Sequence, residues 1–138
     1  KSWKEYTPEE IKERGVLVGK QDIRQLKKHI IRYWVNHIET VLSKHNVKAE
    51  EIDYVIPHVS SMFFYEKLND EIAARGITLT KEKWFTNLIS VGNIGSAAIY
   101  VALDELIRTK EIKQGQKILL LVPESGRFSY GTVLLTAQ

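Results

Sequence analysis

Ile118-Leu119-Leu120-Leu121-Val122 is an apolar run without one polar interruption, entered shortly after Gly115 and closed by Pro123. A strand with one solvated face alternates apolar and polar residues, whereas an unbroken run of this length must be covered on both faces. Such a strand belongs inside a sheet with helices packed on both sides. The rest of the chain therefore has to supply amphipathic helices, and it does.

Ile23, Leu26, Ile30, Trp34, Ile38 and Val41 recur at spacings of three and four, widened by Ile31, Val35 and Leu42. This pattern predicts a long amphipathic helix from about Asp22 to His45. A second helix is predicted over about 61–74, with Phe64, Leu68 and Ile72 on one face and Gly76 as its stop. A third is predicted over 96–108, small-sided at Ala97 and Ala98 and apolar along Ile99, Ala102, Leu103 and Leu106. Near the start, Thr7-Pro8-Glu9-Glu10 reads as a capping box with proline in the first turn, and Gly15 as the stop of that short helix. Strands are predicted at Val16–Val18 between Gly15 and Gly19, at Asp53–Ile56, at Trp84–Leu88, at the apolar run, and at Tyr130–Thr136. The Pro123–Arg127 connection is short enough for an antiparallel return. The expectation is one α/β domain over residues 1–138, with a roughly five-stranded, mixed but mainly parallel sheet covered by helices.

Nothing in this pattern suggests a membrane span, because no apolar run approaches the roughly 20 residues required. The net charge of +3 does not by itself point to nucleic acid. With no cysteine, the chain carries no disulfide, thiolate metal site or thiol nucleophile of its own. It starts at Lys1 without a signal-peptide pattern, which suggests a cytoplasmic piece of something longer. His29, His37 and His45 lie on the long helix about 12 Å apart in succession and rotated around it, so they cannot share a metal. The local basic excess, Lys20, Arg24, Lys27, Lys28 and Arg32, is opposed nearby only by Asp22. It is either a solvated helix face or a docking site for an anionic partner.

Ligands of open α/β sheets gather at the carboxyl ends of the strands. His58 follows the Asp53–Ile56 strand and Pro57, and Asn93 lies in the Gly92–Ser96 turn that opens the third helix. Gly126 in the last loop approaches from the same end. Each residue also has a purely structural reading: a hydrogen-bonded loop histidine, a helix cap, a hairpin glycine.

Three segments in order carry a resemblance: Ile52-Asp53-Tyr54-Val55-Ile56-Pro57-His58, then Gly92-Asn93 leading into Ser96–Glu105, then Gly115–Leu121. Together they resemble the carboxy-terminal half of the β-ketoacyl-acyl-carrier-protein synthase III family, in the thiolase superfamily, over about residues 20–138. The resemblance implies a thiolase-like half and a Cys-His-Asn site whose Cys belongs to a missing amino-terminal half. His58 and Asn93 match the family's catalytic histidine and asparagine, and Gly126 the glycine whose backbone N–H completes an oxyanion hole. It further implies an acyltransferase that condenses an acyl thioester with a malonyl-type thioester. The thioesters ride on CoA or on the phosphopantetheine of acyl carrier protein, with no other cofactor and no metal. The full-length form would be a homodimer, and this piece alone inactive.

Two departures qualify that picture. The family's last loop reads Phe followed by glycines, whereas here it is Glu124-Ser125-Gly126-Arg127. After the histidine, the family's Gln-Ala-Asn and carrier-docking Arg are replaced by Val59-Ser60-Ser61 and Phe63. These changes leave open a β-ketoacyl or other specialised acyl substrate, or a non-catalytic binding module on the same fold. They also leave the basic residues from Lys20 to Arg32 as a substitute docking surface.

Overall fold

The computed structural model describes residues 2–18 and 22–138; Gly19 and Lys20 lie outside the described residues. Helix α1 (Pro8–Arg14) starts as expected. The Thr7 hydroxyl accepts from the Glu10 N–H at 3.2 Å, and the Glu10 carboxylate accepts from the Thr7 N–H at 2.9 Å. Helix α2 (Ile23–Lys44) is capped by Asp22, whose carboxylate accepts from the N–H groups of Arg24 and Gln25 at 3.0 and 3.2 Å. These contacts satisfy donors that the first turn of any helix leaves without an internal partner. Leu26, Ile30, Trp34, Val35, Ile38 and Leu42 form its buried face.

The chain continues through β1 (Tyr54–Pro57), α3 (Met62–Ala74), a single helical turn α4 (Leu88–Val91), α5 (Ala98–Thr109), β2 (Lys117–Glu124) and β3 (Ser129–Thr136). β2 lies between its two neighbours. It pairs parallel to β1 from Tyr54↔Ile118 to Pro57↔Leu121, and antiparallel to β3 from Lys117↔Thr136 to Glu124↔Ser129. Successive β2 side chains alternate between two apolar layers. Leu119 and Leu121 pack with Val55 against Trp34, Val35 and Ile38 of α2 and Leu68 and Ile72 of α3. Ile118 and Leu120 pack with Ile56 against Ile99, Ala102 and Leu106 of α5. The unbroken apolar run is thus explained by helices on both faces.

The sheet has three strands among the described residues, not five. Val16–Val18 is a turn: Gly15 adopts a left-handed conformation (φ 57°, ψ 43°), and the Val18 N–H returns to the Gly15 carbonyl at 3.1 Å. The chain folds back on itself there, so no extended segment forms. At Trp84–Leu88 the pairing is a single parallel bridge, Val55↔Trp84, with the Phe85 N–H donating to the Val55 carbonyl at 2.8 Å. The Trp84 indole N–H donates to the Leu79 carbonyl at 2.9 Å and its ring meets Tyr65 edge-on, after which Leu88 already begins α4. Side-chain anchoring of Trp84 replaces a continued ladder. Among the described residues no helix is long and apolar enough to cross a membrane.

Candidate functional site

The register of β1 on β2 decides where His58 emerges, and Asp53 pins that register at the opposite end. Its N–H donates to the Lys117 carbonyl at 2.9 Å and its carboxylate accepts from the Lys117 N–H at 2.7 Å. At the carboxyl end, the His58 N–H continues the ladder to the Leu121 carbonyl at 2.8 Å. This backbone bond fixes where His58 leaves the end of β1. The ring is half-buried, and loss of water around it lowers its pKa below the usual value of 6.5, so it is neutral near pH 7. Among the described residues, no hydrogen bond to the ring is made.

Asn93 is placed by a glycine turn. Gly92 sits at φ 80°, ψ −177°, and Gly95 at φ 65°, conformations that side chains with a Cβ rarely adopt. The Asn93 Oδ1 accepts from the Gly95 N–H at 3.1 Å. Because a backbone N–H can only donate, the atom facing it must be the oxygen, and the Nδ2 amide is left as a donor. Asn93 thus closes an Asx turn onto Gly95 and caps neither the Gly95–Ala97 turn, whose N-cap is Ile94, nor α5, whose first residue is Ala98. Asn87 ties the preceding segment to α5 through a 2.7 Å hydrogen bond from its Nδ2 to the Glu105 carboxylate.

His58 and Asn93 open onto one cleft of about 160 Å³. Its apolar wall comes from Ile30, Ile31 and Trp34 of α2 and Phe64 of α3, and its rim includes Gly95, Pro123 and Ser125. The cleft lies at the carboxyl ends of β1 and β2, where the sequence places it. Gly126 is one residue beyond the rim, and its N–H donates to the Glu124 carboxylate at 2.7 Å.

Of the basic candidates, Lys27, Lys28 and Arg32 line a groove of about 410 Å³ between α2 and α3. Lys67 of α3 joins them there, with the acidic Asp70 and Glu71 also in the lining; none of the three is visible from the α2 pattern, since they face it from a second helix. The Lys27 ammonium lies 5.6 Å from the centre of the Phe63 ring, a cation–π contact. Ile31 and Phe64 line both this groove and the His58 cleft, so the two adjoin. Arg24 is not part of the groove and lies 3.7 Å from Asp22.

A mixed sheet covered by helices on both faces is the thiolase-like fold of the synthase III structures. The chain belongs to the family described as 3-oxoacyl-[acyl-carrier-protein] synthase III C terminal, whose model matches residues 42–137. It is 30% identical over 112 residues to the β-ketoacyl-[acyl-carrier-protein] synthase III of Clostridium acetobutylicum, covering 81% of this chain and 33% of that protein. The corresponding protein of Aquifex aeolicus is 34% identical over 112 residues, again 81% of this chain and 34% of the relative. The crystal structure of the Aquifex aeolicus VF5 synthase III superposes with a TM-score of 0.71 at 33% identity, covering 85% of this chain and 36% of that one. The chain spans about a third of the length of the curated relatives it matches.

Proposed function

We propose that this chain is the carboxy-terminal half of a synthase III-like condensing enzyme and brings His58 and Asn93 to a Cys carried by an amino-terminal half. The observation that carries this reading is the cleft at the ends of β1 and β2 lined by both His58, whose pKa burial lowers, and Asn93, whose Oδ1 is held by the Gly95 N–H so that Nδ2 remains a donor. In the first half-reaction the Cys thiolate attacks the carbonyl of an acyl thioester. The new C–S bond forms as the old one breaks, and the carrier thiolate departs. In the second, a malonyl-type thioester loses carbon dioxide, and the electrons of the broken C–C bond pass into an enolate. Its carbon then attacks the acyl-Cys carbonyl and expels the Cys thiolate.

His58 and Asn93 serve the second half-reaction by donating hydrogen bonds to the thioester oxygen as it becomes the enolate oxygen. One such preorganised donor is typically worth about 3 kcal/mol of barrier. A neutral imidazole suits this task, since it donates an N–H without the cost of a buried charge. The Gly126 N–H is assigned to the first half-reaction, as the chain's part of an oxyanion hole. The charged loop residues Glu124 and Arg127 beside the cleft favour a specialised acyl substrate over plain short-chain priming.

Two surfaces support the assignment of partners. Ile89, Ile94, Tyr100 and Ile107, exposed by 84, 44, 69 and 54%, give α4, α5 and the turn between them an apolar surface suited to the amino-terminal half. The basic groove between α2 and α3 suits an anionic carrier, either acyl carrier protein or the phosphates of CoA. The assignment is tested by separating the half-reactions in the full-length protein. Alanine at His58 should slow condensation far more than acyl transfer to the Cys, and equal losses in both would refute the roles given.

A further inference from the structure

The hairpin between β2 and β3 holds a carboxylate on the same Gly126 N–H that is assigned above to acyl transfer. The two oxygens of the Glu124 carboxylate accept separately, one from the Gly126 N–H at 2.7 Å and one from the Arg127 N–H at 2.8 Å. Both distances are in the range of charge-assisted hydrogen bonds, roughly twice as strong as neutral ones. The carboxylate lies close over the glycine: a Cβ at Gly126 would meet the Glu124 Oε1 at 2.8 Å, so a side chain there would push the flexible end of Glu124 aside.

We infer that Glu124 is a positioning residue that holds the Gly126 N–H until an incoming acyl thioester displaces it, and so sets the rate and selectivity of acyl transfer. The inference rests on the reading that Gly126 serves that half-reaction. A neutral thioester carbonyl is a weaker acceptor than a carboxylate and does not displace it in the ground state. Only as negative charge builds on the carbonyl oxygen, when the thiolate adds, does the substrate compete. Glu124 itself is exposed, so the displaced carboxylate passes into water. A substrate or docked carrier that draws the carboxylate away, by a cation or a hydrogen-bond donor of its own, would be acylated selectively.

The test uses the full-length protein and two variants, Glu124→Ala and Glu124→Gln, with radiolabelled acyl-CoA thioesters of several chain lengths. Single-turnover retention of label on the denatured protein reads acyl transfer, and product formation reads condensation separately. Glu124→Ala should acylate about tenfold faster than the parent, the factor one hydrogen bond to a charged group is worth. Glu124→Gln, a neutral acceptor of the same shape, should fall between them. The Gly126 amide proton, observed after selective ¹⁵N-glycine labelling, should move upfield in both variants as the carboxylate leaves. A labelled parent with variants no faster, or a Gly126 resonance that does not move, overturns the inference alone. Parent and variants all unlabelled by every thioester overturn the functional reading, and the inference with it. A purely structural loop cap would lower the melting temperature of Glu124→Ala without the ordered rise in acylation from Glu through Gln to Ala.

Discussion

Replacing Asn93 by Asp separates what this residue does for the turn from what it does for chemistry. The side chains have the same shape, and Asp retains an oxygen that can accept from the Gly95 N–H, now 3.1 Å from Oδ1. The turn should survive, because aspartate accepts in such turns as well as asparagine does. The Nδ2 donor, however, is replaced by a second acceptor. Losing one preorganised donor should raise the barrier to enolate formation by about 3 kcal/mol, which corresponds to roughly 100-fold in rate. The carboxylate also repels the developing enolate, so roughly 100-fold is a lower bound. The assay follows release of labelled carbon dioxide from a malonyl thioester by the full-length protein, alongside acyl transfer to its Cys and thermal unfolding. Carbon dioxide release should collapse, acyl transfer should stay within about threefold, and the melting temperature within about 2 °C, as befits a change well under 1 kcal/mol. Decarboxylation within about threefold of the parent would refute the argument that the carboxamide N–H stabilises the enolate. A parallel loss in both half-reactions would show instead that the turn had moved.

Other perturbations reach the remaining parts of the account. Asp53→Ala removes the carboxylate that accepts from the Lys117 N–H and should cost about 1.5–3 kcal/mol, the range for a hydrogen bond to a charged group; an unchanged denaturation midpoint would remove Asp53 from the register argument. Burial lowers the pKa of both His58 and His37 below 6.5, so the unfolded chain binds protons first as the solution is acidified. Stability contributed by keeping these rings neutral is therefore full above about pH 6.5 and is lost as pH falls through the lower folded values. Denaturant midpoints between pH 8 and 5 should decline, and a flat profile would contradict the burial of these rings. Lys27→Glu with Lys28→Glu should raise the KM for a carrier-linked thioester and flatten its dependence on salt, with kcat little changed, if the groove docks an anionic carrier; unchanged carrier kinetics would end that assignment.

The parts of the fold that depend on local pattern were legible in the sequence. Thr7 and Glu10 form the capping box, the Ile23–Val41 stripe forms a helix whose buried residues all belong to the pattern although Ile23 itself is exposed, and the apolar run is buried from both sides. Failures arose where a side-chain contact or a glycine turn overrode the local β pattern. Trp84 looks like a strand residue from its neighbours, but its hydrogen bond to Leu79 and its contact with Tyr65 hold it at a single bridge. Val16–Val18 is β-branched enough for a strand, yet nothing pairs with it once Gly15 turns the chain back. That His58 and Asn93 line one cleft was readable because one follows a strand and the other lies in the glycine turn before α5. Lys67 and the Glu124 contact with Gly126 were not, since one needs the α2–α3 packing and the other a side chain folding back on its own backbone.

The central claim is that this chain completes an acyl-Cys enzyme. The most direct measurement incubates the full-length protein with radiolabelled acyl-CoA thioesters of several lengths and looks for label that survives denaturation. The account predicts retained label, lost when a single upstream Cys is replaced and ranked by acyl chain. No label from any thioester would contradict it, and would leave His58 and Asn93 as structural residues of a binding module built on the same fold.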